Sequence, residues 1–253
     1  MKVGENMDFH STTLEYYSHW LGIEIAYVKD NEIATIYSEE RNKTQFGYTK
    51  QADLLLWYQD TKIIISYGKN TQDHIQKLSR TLKIGIDINS IRDSLFALFG
   101  QQPNHNIKYV FSKLPVMPDS AKVLTLDDYQ AYLAFFKTNN PNCKGLSWLY
   151  DYFVRMIESK TCCGVFIGNS LVSCTDSPSM PYMQDKVQEI GINTLSEFRG
   201  KGYASSASIK CASQIISQGK CPQWSTAINN FPSQKLAYRV GFNKLAETLT
   251  ITL

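Results

Sequence analysis

The sequence predicts a mixed α/β (α+β) fold in two parts. A smaller α+β N-terminal domain covers residues 1–118, and a second α/β domain covers residues 119–253. Three observations predict this. Short runs rich in Val, Ile, Tyr and Trp alternate with longer segments of helical period. The stretch Leu114–Ala121 carries Pro115 and Pro118, which interrupt regular structure. Late in the chain, an apolar run over 187–195 passes through Arg199, Gly200, Lys201 and Gly202 directly into a helical segment.

In the first part, residues 11–21 read as a helix with Ser11 or Thr12 as cap. Residues 33–37, 52–58 and 62–67 read as strands, the last two joined by a turn at 59–61. Residues 70–82 and 89–99 read as helices, the second stopped by Gly100 and Pro103. Residues 107–111 read as a short strand. In the second part, 123–126 is a strand and Asp127-Asp128 opens a helix to about Lys137, with acids at its positive end. A helix follows over 147–158. A hairpin pairs 162–167 with 171–175 around Gly168-Asn169-Ser170. Then come a strand over 187–195, a helix over 202–218, a strand over 223–228, a helix over 233–240 ended by Gly241, and a strand from Lys244 onward.

Composition narrows the function class. Charged residues make up 19% and hydrophobic residues 43%, ordinary for a soluble globular chain. A net charge of +3 gives no argument for nucleic acid or an anionic membrane. Residues 186–253 nonetheless hold eight Lys or Arg against three Glu, an excess that suits a small polyanion or is scattered surface charge. No run is apolar enough to span a bilayer, and Met1–Asn6 lacks the apolar stretch of a signal peptide, so a cytoplasmic location is expected. The six cysteines form no CxxC pair and the four histidines lie in the other half, which argues against a metal site. Reduced, mostly buried thiols are expected instead.

The chemistry lies at the basic turn. Gly200 and Gly202 let the backbone turn tightly and approach a ligand without Cβ clashes. The first N–H groups of the new helix face that space, and the helix dipole adds positive potential. Arg199 and Lys201 add charge, while Ala204 and Ser205 keep the mouth narrow. The arrangement points to a diphosphate; the plain alternative is a strand, basic turn and helix with no ligand. The P-loop pattern is absent, and the dinucleotide fingerprint fails at Ser205.

On these residues the chain resembles the GNAT superfamily of N-acetyltransferases. Arg199, Gly202 and Ala204 match its coenzyme A signature, Arg/Gln-x-x-Gly-x-Gly/Ala. Asn230, Ser233, Leu236, Gly241 and Phe242 match its second marker in spacing and order. The resemblance covers roughly 121–253. Cys221-Pro222-Gln223-Trp224 and Ser233-x-x-Leu236-Ala237 are similar to the group containing zwittermicin A resistance acetyltransferases. The resemblance implies a mixed, V-split β-sheet flanked by helices, opened by a bulge in the strand over 187–195. It implies acetyl-CoA as cosubstrate, no metal, and direct acetyl transfer to a primary amine of a small molecule in a ternary complex. The pantetheine arm would lie along Ile192, Asn193 and Thr194. The pyrophosphate would lie on the amides of Arg199, Gly200, Lys201, Gly202, Tyr203, Ala204 and Ser205, with Asn230 and Ser233 opposite.

The catalytic residues are less clearly marked. Many members protonate the leaving thiolate with a tyrosine five residues before the Phe of Gly-Phe; that position is Ala237 here, and Tyr238 follows it. One residue rotates a side chain by about 100° around a helix. Tyr238 is therefore either a displaced acid or a packing aromatic. Glu189 is either the general base for the amine or an exposed strand-end carboxylate, and Asp176 is a second candidate base. A non-catalytic acyl-CoA-binding sensor is the competing reading.

Overall fold

The computed structural model describes residues 7–116 and 120–253. The expected boundary at 118/119 and the Met1–Asn6 terminus lie outside the described residues. In chain order the elements are helix α1 (Phe9–Leu21), strands β1 (Glu32–Tyr37), β2 (Leu54–Gln59) and β3 (Lys62–Tyr67), helices α2 (Gln72–Thr81) and α3 (Ile88–Phe99), and strand β4 (Asn104–Phe111). Next in the chain come β5 (Lys122–Val123), α4 (Tyr129–Asn139), α5 (Leu149–Glu158), β6 (Cys163–Ile167), β7 (Ser170–Asp176), β8 (Val187–Glu189), β9 (Gly191–Thr194), α6 (Tyr203–Ser217), β10 (Cys221–Ala227), α7 (Phe231–Val240) and β11 (Phe242–Ile251).

The strands form a seven-stranded sheet ordered β1-β3-β2-β11-β4-β10-β8 and a four-stranded sheet ordered β5-β6-β7-β9. The expected strand over 187–195 is divided between them. Its first half, β8, pairs in parallel with β10, with Glu189 beside Gln223. Its second half, β9, pairs antiparallel with β7, with Thr194 beside Ser173. The last rung to β10 is Ile190 N–H to the Gln223 carbonyl at 3.1 Å. Beyond it the two sheets diverge, which is the expected split.

The larger sheet draws on both halves of the sequence. β4 lies between β10 and β11 and is antiparallel to both, and β11 pairs on its other edge with β2. On β4, Ile107, Tyr109 and Phe111 point to one face and meet α6 and α7 in a core with Ile215, Trp224, Val240 and Phe242. α1 covers the opposite face through Tyr16, Tyr17 and Leu21 against Trp57 and Cys221. α2 and α3 cover β2 and β3 further along. The period-2 alternation of buried residues on β4 follows from having helices on one side and a less filled space on the other.

Gly241 shows why the Gly-Phe pair is fixed. Its φ is +103°, and an added Cβ would stand 1.9 Å from the Lys113 carbonyl oxygen. Its own carbonyl accepts from Ser112 N at 2.8 Å, so the start of β11 is tied to the end of β4.

Three local expectations are corrected. α1 begins at Phe9, not Ser11, because Asp8 accepts from the amides of His10 and Ser11 at 3.0 and 3.1 Å; the Ser11 hydroxyl donates to Asp8 instead. The strand expected over 123–126 shortens to Lys122–Val123. Thr125 and Asp128 form a reciprocal capping box, which turns the chain toward α4 early. The helix expected from Ser147 starts at Leu149.

Glu247 on β11 accepts from His105 on β4 at 2.5 Å and pairs with Lys244 at 2.5 Å. The His105 hydrogen bond, with help from Lys244, holds its carboxyl below the usual glutamate range against the opposing effect of burial. A lowered native pKa gives stability that is fully present above the ordinary glutamate value, about 4.3, and is lost as pH falls through the lowered value. Glu247→Gln should therefore flatten the acid limb of a stability-against-pH profile below about pH 4.3. An unchanged acid limb would remove this cluster from the acid response.

Candidate functional site

α6 begins without a side-chain cap. Gly202 occupies the cap position with φ +86°, and Gly200 two residues earlier has φ +76°. Both conformations favour glycine, and no heavy atom lies within 4 Å of an added Cβ at either position. The first intrahelical bond runs from Ser206 N to the Gly202 carbonyl at 3.1 Å. The amides of Tyr203, Ala204 and Ser205 therefore have no partner within the helix and face open space, with the positive end of a 15-residue helix behind them.

These amides open onto a groove of about 600 Å³ between β9, the N-terminus of α6, β10 and α7. The groove brings together most of the residues expected to hold a coenzyme. Ile192, Asn193 and Thr194 line one wall, Arg199, Gly200, Gly202, Tyr203, Ala204 and Ser205 its end, and Asn230 and Ser233 the other wall. Lys201 is the exception; its amine lies over the Phe198 ring, 5.1 Å from the centroid. β9 contributes a free edge. Asn193 pairs with Cys174 and Gly191 with Asp176, and Leu195 N donates to Val172 O at 3.0 Å. Antiparallel alternation then aims the backbone groups of Ile192 and Thr194 away from β7, toward the groove. Arg199 Nε donates to the Thr194 carbonyl at 3.1 Å, so this arginine braces the strand end as well as carrying charge.

On the far wall, Asn230 Oδ1 accepts from Ser233 N at 3.2 Å and caps α7, while Ser233 Oγ accepts from Trp224 Nε1 at 3.2 Å. Lys235 and Arg239 also line the groove. They are four residues apart on one helix face, a spacing that could have singled them out in the sequence.

Tyr238 does not line the groove. It is 54% exposed and meets the buried Tyr109 ring edge-on at 5.8 Å. Ala237, at the position where an acidic hydroxyl would be expected, is fully buried.

Glu189 ends β8, at the point of the split. Ser225 Oγ donates to Glu189 Oε1 at 2.5 Å. Ser225 lines the groove and also a second cavity of about 960 Å³ on the α1 side of the sheet. Glu189 itself lines a smaller recess with Tyr16 and Tyr48. Asp176 is nearby, opposite Gly191, and accepts from the Tyr152 hydroxyl. Burial and the neighbouring Glu189 push its carboxyl above the usual range, although the Ser177 amide opposes this. Cys174 is buried, and its contact with Cys162 together with burial pushes its thiol well up, the reverse of what a nucleophile needs.

The model of the GNAT acetyltransferase family matches residues 159–250, the segment that holds β6 to β11 with the groove. No curated protein matches the sequence. Among solved structures, an acetyltransferase of the GNAT family from Colwellia psychrerythraea is similar with TM-score 0.52 and 18% identity, over 63% of this chain and 61% of that one. A GCN5-related N-acetyltransferase from Sphaerobacter thermophilus is similar with TM-score 0.47 and 12% identity, over 64% of this chain and 55% of that one. The chain thus spans less than two thirds of the length of either protein. The first likeness establishes the fold. Among the described residues, no helix is long and apolar enough to cross a membrane.

Proposed function

We propose that this protein is an acetyl-CoA-dependent N-acetyltransferase acting directly on a primary amine of a small molecule. The single observation that carries the reading is the uncapped N-terminus of α6, opened by two left-handed glycines onto a groove whose opposite wall is an unpaired strand edge. An extended, amide-bearing arm ending in a diphosphate fits those two features together. The match to residues 159–250 supports the same reading. Bound in the groove, the cosubstrate supplies an acetyl group activated as a thioester.

The chain's own residues do the rest. The amides of Tyr203, Ala204 and Ser205 hold the anionic end; charge-assisted bonds of this kind contribute about 1.5–3 kcal/mol each. The free N–H of Ile192 is placed to polarise a carbonyl at the split. Glu189, steadied by Ser225, takes the proton from the acceptor ammonium where groove and cavity approach each other. The amine nitrogen then bonds the acetyl carbon as the C–S bond breaks; the nitrogen gives up its second proton to water, and the sulfur leaves as thiolate and takes a proton from water. Most of the acceleration comes from holding the two reactants together. A second reading, a non-catalytic acyl-CoA sensor, is favoured by one observation: α7 aims no tyrosine hydroxyl into the groove.

The cofactor assignment is tested by thermal unfolding. Coenzyme A at a hundredfold excess over its dissociation constant should stabilise by about 2.7 kcal/mol, a rise of roughly 5–10 °C for a chain of this size. NAD and ATP should leave the midpoint in place. No shift with saturating coenzyme A would remove the assignment. Free-thiol release with a panel of amines then separates enzyme from sensor.

A further inference from the structure

The 960 Å³ cavity has a charge pattern that bears on the acceptor. Arg41, Lys50, Arg92 and Lys108 line it, and no Asp or Glu among the described residues does. Arg41 is fully buried, and Nε, Nη1 and Nη2 of its guanidinium all lack a hydrogen-bond partner. The guanidinium lies near the Trp20 ring, 5.8 Å from its centroid. The two nearby carboxylates are committed elsewhere. Glu40 pairs with Lys43 at 2.5 Å and accepts from the Tyr182 hydroxyl. Asp53 accepts from Asn70 at 2.7 Å, from Gln51 at 2.5 Å and from the Leu253 amide at 2.7 Å. Lys108 lies 5.5 Å from the Tyr17 ring centroid. Burial lowers its amine's pKa, and the field of Glu189 only partly opposes this.

A buried, unpaired cation destabilises the free protein. An anion from the ligand would relieve that cost, and the guanidinium fork matches carboxylate and phosphate geometry. The same field is hostile to an acceptor whose only charge is its ammonium. It also favours the neutral amine, the form that attacks. We infer that the acceptor carries an anionic group, a carboxylate or phosphate, bound by Arg41 in this cavity while its amine reaches Ser225 and, through that hydroxyl, Glu189. This rests on the acetyltransferase reading for the fate of the amine, but the anion site stands on the cavity alone.

The test uses matched probes with the full chain. Amino acids and dipeptides are compared with their C-terminal amides, and phosphoethanolamine with ethanolamine. Two readouts are taken: thiol release with acetyl-CoA, and quenching of tryptophan fluorescence without it, because Trp20 lines the cavity. At least one acidic member should exceed its neutral partner by roughly 10- to 150-fold in kcat/KM or affinity, the range of a charge-assisted bond. The carboxylate and phosphate arms separate the two anions. Arg41→Met should bring the pair to within about threefold, while raising the thermal midpoint and leaving coenzyme A affinity unchanged. Quenching by an acidic probe with no thiol release from any amine would keep the anion site and overturn the acetyl transfer. Equal or reversed preference, no response to any acidic probe, or a lower midpoint in Arg41→Met with the acid preference intact would overturn the anion site.

Discussion

Gly202→Asp should lower coenzyme A affinity by about two orders of magnitude, and Gly202→Asn by much less. The pair isolates charge. Asp and Asn both tolerate the left-handed conformation at φ +86° better than other side chains, and both are nearly the same size. An added Cβ meets nothing within 4 Å, so neither variant clashes with the fold. Only the carboxylate places a negative charge where the α6 amides would hold a phosphate. Losing or opposing one or two charge-assisted bonds of about 1.5–3 kcal/mol each accounts for the expected factor. The affinities come from thermal titration with coenzyme A, with circular dichroism confirming the fold. Equal affinities for Asp, Asn and wild type would mean that the diphosphate does not lie at this helix start.

The basis of that prediction was legible in the sequence, because the loop is a local object. Arg199 to Ser205 lie in one contiguous segment, and the two glycines mark the two positive φ values. The markers at Asn230 and Gly241 also act locally, one as a helix cap and one as a turn pressed against a carbonyl. The split at Ile190 was expected at the level of the strand, but the chain change from β10 to β7 is set by partners far away in sequence. The same holds for β4. Residues 107–111 read as a short strand, yet nothing local says that it enters between β10 and β11. The charged cavity was hidden for this reason. Arg41 belongs to a short turn before β2 and Lys108 to β4, and only the sheet order brings both to the face under α1. Tyr238 is a different case. The one-residue offset in the motif left it open as a displaced acid or a packing aromatic, and in the structure its ring meets Tyr109 outside the groove.

The same offset separates the two candidates for proton transfer. Glu189→Gln keeps the shape of the side chain and an oxygen for the Ser225 hydroxyl, but removes the base. Turnover should fall by roughly 10²–10⁴-fold, the usual worth of general-base catalysis. Coenzyme A affinity should stay at the wild-type value, since Glu189 does not line the groove. The deficit should shrink as pH rises toward the acceptor amine's own pKa, because a growing share of the amine then arrives without its proton. Tyr238→Phe should change turnover by less than about threefold at any pH. Its hydroxyl is not directed into the groove, and its ring keeps the edge contact with Tyr109. Initial rates of thiol release across pH 6–10, fitted for kcat and for kcat/KM, distinguish the two. A near-silent Glu189→Gln beside a severe, pH-dependent Tyr238→Phe would reverse the assignment. α7 would then turn by about one residue on binding, which brings the tyrosine hydroxyl to the sulfur and leaves Glu189 as a structural carboxylate for Ser225.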